Sequence, residues 1–100
     1  MTPLQRRFKA VIARLGDAIS TVHGSGSALV SKMTVGQAKV WFDDATAAAF
    51  GRPIRSFYVG YDDPTAAGDT LTWAGGSVTV KKVVELRFQS SIVAKMLIAA

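Results

Sequence analysis

The chain has 100 residues, of which 49% are hydrophobic and 19% charged, so it is long enough for one folded domain and too apolar for a disordered protein. The sequence contains no cysteine, which excludes disulfides and thiolate metal sites, and its apolar runs fall short of the ~20 residues of a membrane helix. A net charge of +5 favours contact with nucleic acid or an acidic protein surface. We expect one soluble domain over residues 1–100, without membrane contact.

The N-terminal segment, residues 2–16, predicts an amphipathic helix. Thr2, Pro3 and Gln5 have the spacing of a capping box with proline at the first helical position, and Gly16 is the expected stop. At about 100° per residue, one arc of this helix is apolar and the opposite side is basic. The apolar arc, which we expect to face the core, consists of Leu4, Phe8, Val11, Ile12 and Leu15. The basic side consists of Arg6, Arg7, Lys9 and Arg14.

Short strands are predicted next, where apolar and polar residues alternate. Residues 18–22, 28–33 and 37–42 show this period of two, which is typical of strands with one buried face. Residues 23–27 are mainly Gly and Ser and predict a flexible connection. We expect the second and third of these strands to form a hairpin around residues 34–36.

Two loops flank a further predicted strand in the middle of the chain. Residues 43–53 are rich in Ala and Thr and predict a mobile loop with a weak helical preference. Residues 54–61 alternate as a strand does, with large side chains on both sides. Residues 62–69, with their acids, proline and glycine, predict a second mobile loop.

The C-terminal third predicts a hairpin and a final strand. Residues 70–74 and 77–87 flank Gly75-Gly76, a dipeptide that suits a two-residue type I′ turn because both central residues need positive φ. Residues 92–98 form the final apolar strand. The predicted fold is mainly β, a small antiparallel β-barrel or sandwich with one N-terminal α-helix.

The sequence predicts neither catalytic residues nor a metal or cofactor site. Nucleophilic catalysis without cysteine would require a serine and the single histidine, His23, which lies in a Gly/Ser segment that holds no fixed geometry. Asp43-Asp44 and Asp62-Asp63 are adjacent pairs, whose side chains point in opposite directions on an extended chain. Loop acids of this kind more often cap turns than bind cations. We therefore expect a protein that is not an enzyme.

The uneven distribution of charge suggests contact surfaces. Basic residues dominate before Asp17, whereas acids collect in the middle of the chain, and this polarity suits head-to-tail contacts between identical subunits. The alternative is a solvated basic helix face and ordinary loop aspartates. The candidate residues for contact with subunits or partners are Arg6, Arg7, Lys9, Arg14, Asp43, Asp44, Arg52, Asp62, Asp63 and Asp69.

Four features carry a family resemblance. A basic helix leads straight into a strand at residues 18–22, and Val40-Trp41-Phe42-Asp43-Asp44 ends a predicted strand before a variable loop. Asp62-Asp63-Pro64 precedes the hairpin of residues 68–83, and Val93-Ala94-Lys95-Met96-Leu97 is the closing strand. In this order the chain resembles the head-tail joining proteins of tailed bacteriophages, of the lambda-like kind, and the related head-closure or stopper subunits.

The resemblance implies a structural role in the virion. Such a subunit would form a six- or twelve-membered ring beneath the portal or its adaptor, contact the tail terminator or tail tube protein, and help retain packaged double-stranded DNA. It would lie at the head-tail interface (the neck) of the virion and, during assembly, in the host cytoplasm. Residues 43–52 and 62–69 are the candidate docking segments, and the basic helix face could contact acidic partners or DNA phosphates.

Two other functions stay open from the sequence. The first is a small nucleic-acid-binding β-barrel, in which basic residues follow the backbone and exposed aromatic side chains stack on bases. The aromatic candidates are Trp41, Phe57, Tyr58 and Tyr61, although alternating strand aromatics more often belong to the core. The second is a tail-terminator or adaptor ring of the same particle.

Overall fold

A computed structural model describes residues 2–49 and 53–100. In chain order its elements are α1 (Pro3–Leu15), β1 (Asp17–Thr21), β2 (Gly24–Met33), α2 (Val35–Ala38), α3 (Asp44–Ala49), β3 (Ile54–Gly60), β4 (Thr70–Trp73), β5 (Gly76–Phe88) and β6 (Ser91–Ala99). The protein is therefore mainly β with one long N-terminal helix, as the sequence predicts.

The strands form a closed, ring-like antiparallel sheet in the order β1-β2-β3-β6-β5-β4. The ring closes because β1 pairs with β2 on one side and with β4 on the other. The long strands β2 and β5 each serve two neighbours: residues 24–28 of β2 pair with β1 and residues 29–33 with β3. Residues 76–79 of β5 pair with β4, and the remainder pairs with β6. This is the predicted barrel-or-sandwich class.

The ends of α1 follow the chemistry of its sequence. The backbone N–H of Gln5 donates to Thr2 Oγ1 at 3.2 Å, and the Thr2 N–H donates to Gln5 Oε1 at 2.8 Å. At the other end, the Gly16 N–H donates to the Ile12 carbonyl at 2.8 Å. A Cβ at Gly16 would lie 2.8 Å from the Ala28 carbonyl oxygen, so the helix can approach β2 this closely only with glycine there. The predicted start and stop of the helix are confirmed.

Two apolar clusters use opposite faces of the same strands. The larger one includes Phe57, Leu71 and Leu97, which are fully buried. The second cluster includes Ile54, Met96 and Ile98, together with residues of α2 and α3. Successive residues of β6 alternate between the clusters, and residues 93–94 and 96–99 of this strand are all buried. A strand buried on both faces explains why residues 92–98 form a nearly continuous apolar run.

Two predictions for the first half of the chain are wrong. Residues 23–27 are not a flexible loop, because β2 begins at Gly24 and pairs with β1 across a turn at Val22 and His23. Residues 37–42 do not form a strand, and there is no hairpin around residues 34–36. Thr34 and Gln37 instead exchange side-chain to backbone hydrogen bonds of 2.8 and 3.1 Å, a second capping box that starts α2.

The remaining loops and turns need smaller corrections. Of the predicted loop at 43–53, residues 44–49 form the helix α3, and residues 50–52 lie outside the described residues. The predicted β4-β5 hairpin is confirmed, but its turn lies one residue earlier, at Ala74 and Gly75, with φ of 52° and 80°. Residues 62–69 contain neither helix nor strand, as predicted.

Candidate interaction surfaces

Helix α1 lies against β2, β3 and β6 and is held along one side. Near its N-terminus, Gln5 Nε2 donates to the Ile92 carbonyl at 2.7 Å. One turn later, Lys9 Nζ lies 2.7 Å from Asp62 Oδ2. Ile12 is the buried residue of the helix. These contacts hold α1 against the strands and determine which face of the helix is exposed to solvent.

Much of the apolar arc of α1 is exposed, which corrects the prediction that it faces the core. Phe8 and Val11 are each 42% exposed and Leu15 is 68% exposed. Ile12, the buried residue of the helix, lies at one edge of the apolar arc. The rest of the arc is therefore not pressed against the body of the protein and stays partly open to solvent. The result is an outward apolar strip along α1.

The strip borders a groove between α1 and β2, of about 200 Å³, lined by Leu4, Arg7, Phe8, Val11 and Leu29. We call it the α1-β2 groove. Leu4 also lines a neighbouring hollow with Phe88, which is 56% exposed, so the apolar surface continues to the tip of the β5-β6 hairpin. Leu29 and Phe88 are the functional candidates that sequence reasoning missed. Only the strand register brings them next to the helix.

The basic residues of α1 fall into two groups. Arg6, Arg7 and Arg14 are exposed and form no ion pair with any residue in the described part of the chain. Lys9 pairs with Asp62, whose hydrogen bond and negative charge raise the pKa of Lys9. The same hydrogen bond lowers the pKa of Asp62. Two of the predicted contact residues, one basic and one acidic, therefore neutralise each other within one chain.

The other acids of the 62–69 loop organise the loop itself. Asp63 Oδ1 accepts from the Thr65 N–H at 2.9 Å. Asp69 Oδ2 accepts from the Ala66 N–H at 2.9 Å and lies 3.0 Å from His23 Nε2. The Ala66 N–H and then the His23 hydrogen bond lower the pKa of Asp69. These carboxylates cap turns, which agrees with the alternative interpretation of the loop acids.

Asp43 caps a helix near the opposite end of β3. Asp43 Oδ1 accepts from the Thr46 N–H at 2.7 Å, which lowers the pKa of Asp43 and caps α3. The side chain of Asp44 and the whole of Arg52 lie outside the described residues. Helices α2 and α3 pack near Ile54, whereas Lys9 of α1 lies near Gly60. These two ends of β3 are about 20 Å apart.

Three of the four aromatic residues predicted as candidates for base stacking pack in the core or against it. Phe57 is fully buried, so it is not the exposed aromatic residue that nucleic-acid binding would use. Trp41 and Tyr58 pack against the second cluster. Within residues 2–49 and 53–100 there is no group of three or more His, Asp or Glu side chains placed to hold a metal ion. In that same part of the chain, no helix has the length and apolarity needed to cross a membrane.

The arrangement as a whole consists of two unlike ends. One is α1, with its apolar strip and with arginines that have no ion-pair partner among the described residues. The other is the α2-α3 end, where Val40 is exposed and Asp43 caps α3. A scan against protein-family models found no matching family, and searches of curated proteins and of solved structures found no match. Functional assignment therefore rests on the geometry and chemistry of these surfaces.

Proposed function

We propose that this chain is a non-enzymatic structural subunit of the head-tail connector of a tailed bacteriophage. Copies of it would form a six- or twelve-membered ring that joins the portal or adaptor to the tail terminator or tail tube protein and helps retain the packaged DNA. The observation that carries the proposal is the outward apolar strip of α1, in which Phe8, Val11 and Leu15 are exposed. A contiguous exposed apolar surface of this kind is typical of a protein-protein contact.

The order of elements gives further support. Helix α1 leads into β1 through Gly16 alone, residues 62–69 run into the β4-β5 hairpin, and β6 completes the ring. These are three of the four features on which the resemblance to head-tail joining proteins depends. The fourth gives no support, because residues 40–44 belong to a turn and the start of α3 instead of the end of a strand.

The two ends of β3 also fit a ring. Head-to-tail rings require two different surfaces on each subunit, because each copy presents one surface to its left neighbour and another to its right. In such a ring the exposed arginines of α1 would face one neighbour and the α2-α3 end, with the exposed Val40, would face the other, which leaves the apolar strip for a portal, adaptor or tail protein. A ring built through these ends needs no symmetric interface.

Inactivating the gene in its phage genome tests the proposal. We expect filled heads that lose DNA and carry no tails, visible by electron microscopy of lysates, and restoration of tailed particles when the gene is supplied in trans. Normal infectious particles in the absence of the protein would refute the proposal. Crosslinking within intact particles then distinguishes a head-closure layer from a terminator or adaptor layer by the neighbour that each copy contacts.

A second candidate function, a small nucleic-acid-binding barrel, is favoured by one observation. Arg6, Arg7 and Arg14 are exposed on one helix without an ion-pair partner among the described residues. A DNA-binding protein loses affinity steeply between about 50 and 200 mM salt because phosphate contacts release counterions. Fluorescence anisotropy with duplex and single-stranded DNA measures this slope, and a connector subunit should show little DNA affinity as a free monomer.

A further inference from the structure

We infer that the α1-β2 groove binds an amphipathic helix of another protein, with apolar side chains that enter the groove and with Asp or Glu along its flanks. The inference deepens the proposed function by fixing the chemistry of one partner. The inference depends on the proposed function in one respect: in both, the chain acts by binding other proteins.

The shape of the groove favours a helix. Its apolar lining extends along α1 from Leu4 to Val11, a rise of about 10 Å, and Leu29 forms the opposite wall. The adjoining hollow at Phe88 lengthens the surface beyond the N-terminus of α1. A groove with an apolar floor and this length accepts side chains at positions i, i+3, i+4 and i+7 of a docked helix.

The charge around the groove determines the expected partner. Helix α1 carries four basic residues and no acidic residue. Lys9 is neutralised by Asp62 on the side that faces the body, whereas Arg7 lines the groove itself. Arg7 has no ion-pair partner among the described residues. An apolar groove with this positive charge in its lining is complementary to an apolar ridge flanked by carboxylates.

Other occupants fit these observations less well. Nucleic acid would pair with the arginines but would leave Phe8 and Val11 in water, because phosphates offer no apolar surface. A second copy of this chain would offer its own α1 strip, but that helix carries basic residues and no acidic residue, so like charges would meet at the groove.

Selection from a helical peptide library tests the inference directly. The library fixes leucine at i, i+3, i+4 and i+7 of peptides about 14 residues long, long enough for three to four turns, and randomises the flanking positions. Wild-type protein is the target, and the Phe8→Ser variant removes peptides that bind elsewhere. We expect Asp and Glu to be enriched at the flanking positions. Failure to recover any binder, or enrichment of Lys and Arg, would overturn the inference.

Variants then locate the binding site of the best peptide. We expect Phe8→Ser and Val11→Ser each to weaken binding at least about tenfold, since each removes a lining side chain, and Arg7→Gln to remove most of the preference for acidic over amidated flanks. Val22→Ser, at a turn where the side chain is 80% exposed, is the matched control and should leave affinity unchanged. Equal effects of the groove variants and the control would contradict the assigned site, provided that circular dichroism shows all of them folded.

Two further measurements test whether a membrane or a second copy of the chain occupies the groove instead of a partner helix. Co-sedimentation with phosphatidylserine vesicles that Phe8→Ser abolishes would reassign the groove to a membrane, and Phe8-dependent self-association in analytical ultracentrifugation would reassign it to a second copy. Absence of both, together with peptide binding, supports the inference. Peptide binding by the isolated chain does not depend on connector assembly, so a failure here leaves the gene-inactivation result standing, and the reverse also holds.

Discussion

The rings of Phe57 and Trp73 pack edge to face, with centroids 5.7 Å apart and an interplanar angle of 83°. Trp73 also stacks against the guanidinium of Arg55, whose Cζ lies 5.0 Å from the ring centroid. Its indole N–H donates to Asp17 Oδ2 at 3.1 Å. Since Trp73 is in β4, Asp17 in β1 and Phe57 in β3, this tryptophan connects the seam where the ring closes to the strand across the core.

Replacing Phe57 with alanine should cost about 3–5 kcal/mol in the free energy of unfolding, because a fully buried aromatic ring is lost and a cavity remains. Urea denaturation followed by tryptophan fluorescence and circular dichroism measures the change. Val22→Ala, at an exposed position, should change stability by less than about 0.5 kcal/mol. Similar losses in the two variants would show that Phe57 does not anchor the core.

Replacing Gly16 with alanine should destabilise the protein by about 1–3 kcal/mol, the usual cost of forcing extra atoms into a packed site. The new Cβ would meet the Ile12 and Ala28 carbonyl groups, which are backbone atoms and cannot move aside cheaply. Gly26→Ala is the matched control, since no atom lies within 4 Å of the added methyl group. Thermal unfolding of both variants provides the comparison, and an unchanged midpoint for Gly16→Ala would contradict the close helix-strand approach.

Replacing Ala74 with glycine should stabilise the protein by about 0.5–1 kcal/mol, because Ala74 has a φ of 52° and glycine relieves the left-handed strain. The same substitution at Ala10, an exposed position within α1, should instead destabilise by about 1 kcal/mol. The opposite signs distinguish turn geometry from a general effect of glycine. Denaturant midpoints measured on both variants test this.

The contribution of Asp62 to stability should depend on pH. The pKa of Asp62 is lowered in the folded protein, mainly by the hydrogen bond from Lys9, so the stabilisation is complete above the unfolded pKa of about 3.9. It is lost as the pH falls through the lower folded value. Asp62→Asn should therefore be less stable than wild type at neutral pH, with a gap that closes under acid conditions.

Lys9 gives the complementary prediction at high pH. Because its folded pKa is raised, its contribution is complete below the unfolded pKa of about 10.4 and is lost as the pH rises through the folded value. Both side chains are 47% exposed, so about 1 M salt should weaken the ion pair by screening it. A double-mutant cycle of Lys9→Gln and Asp62→Asn measures the coupling, and a gap in stability that is independent of pH and salt would exclude the pair as its source.

Local chemistry explains which parts of the fold the sequence predicts well. The capping box of Thr2 and Gln5 and the stop at Gly16 involve neighbours in the chain, and so they can be recognised without tertiary information. The alternation in β3 and the glycine turn before β5 are local in the same sense. The errors at residues 37–42 arose because the alternation concealed a second capping box, Thr34 with Gln37.

The interaction surface was only partly predictable, for a different reason. Helical periodicity places Phe8 and Val11 on one apolar arc, but it does not say how much of that arc the body covers. Leu29 and Phe88 are distant in the chain and reach the helix only through strand order and register. The same holds for Lys9 and Asp62, whose pairing across 53 positions no spacing rule indicates.

The position of β6 constrains when the protein can fold during its synthesis. This last strand lies between β3 and β5 and supplies side chains to both apolar clusters, and the Ala100 N–H and carbonyl both hydrogen-bond to Thr79. A nascent chain that lacks β6 would leave two strand edges unpaired and both clusters open to solvent, a state prone to aggregation. The native fold can therefore form only after this segment has left the ribosome. A premature stop codon before Ser91 should yield a protein that proteases degrade, instead of a shortened but stable domain.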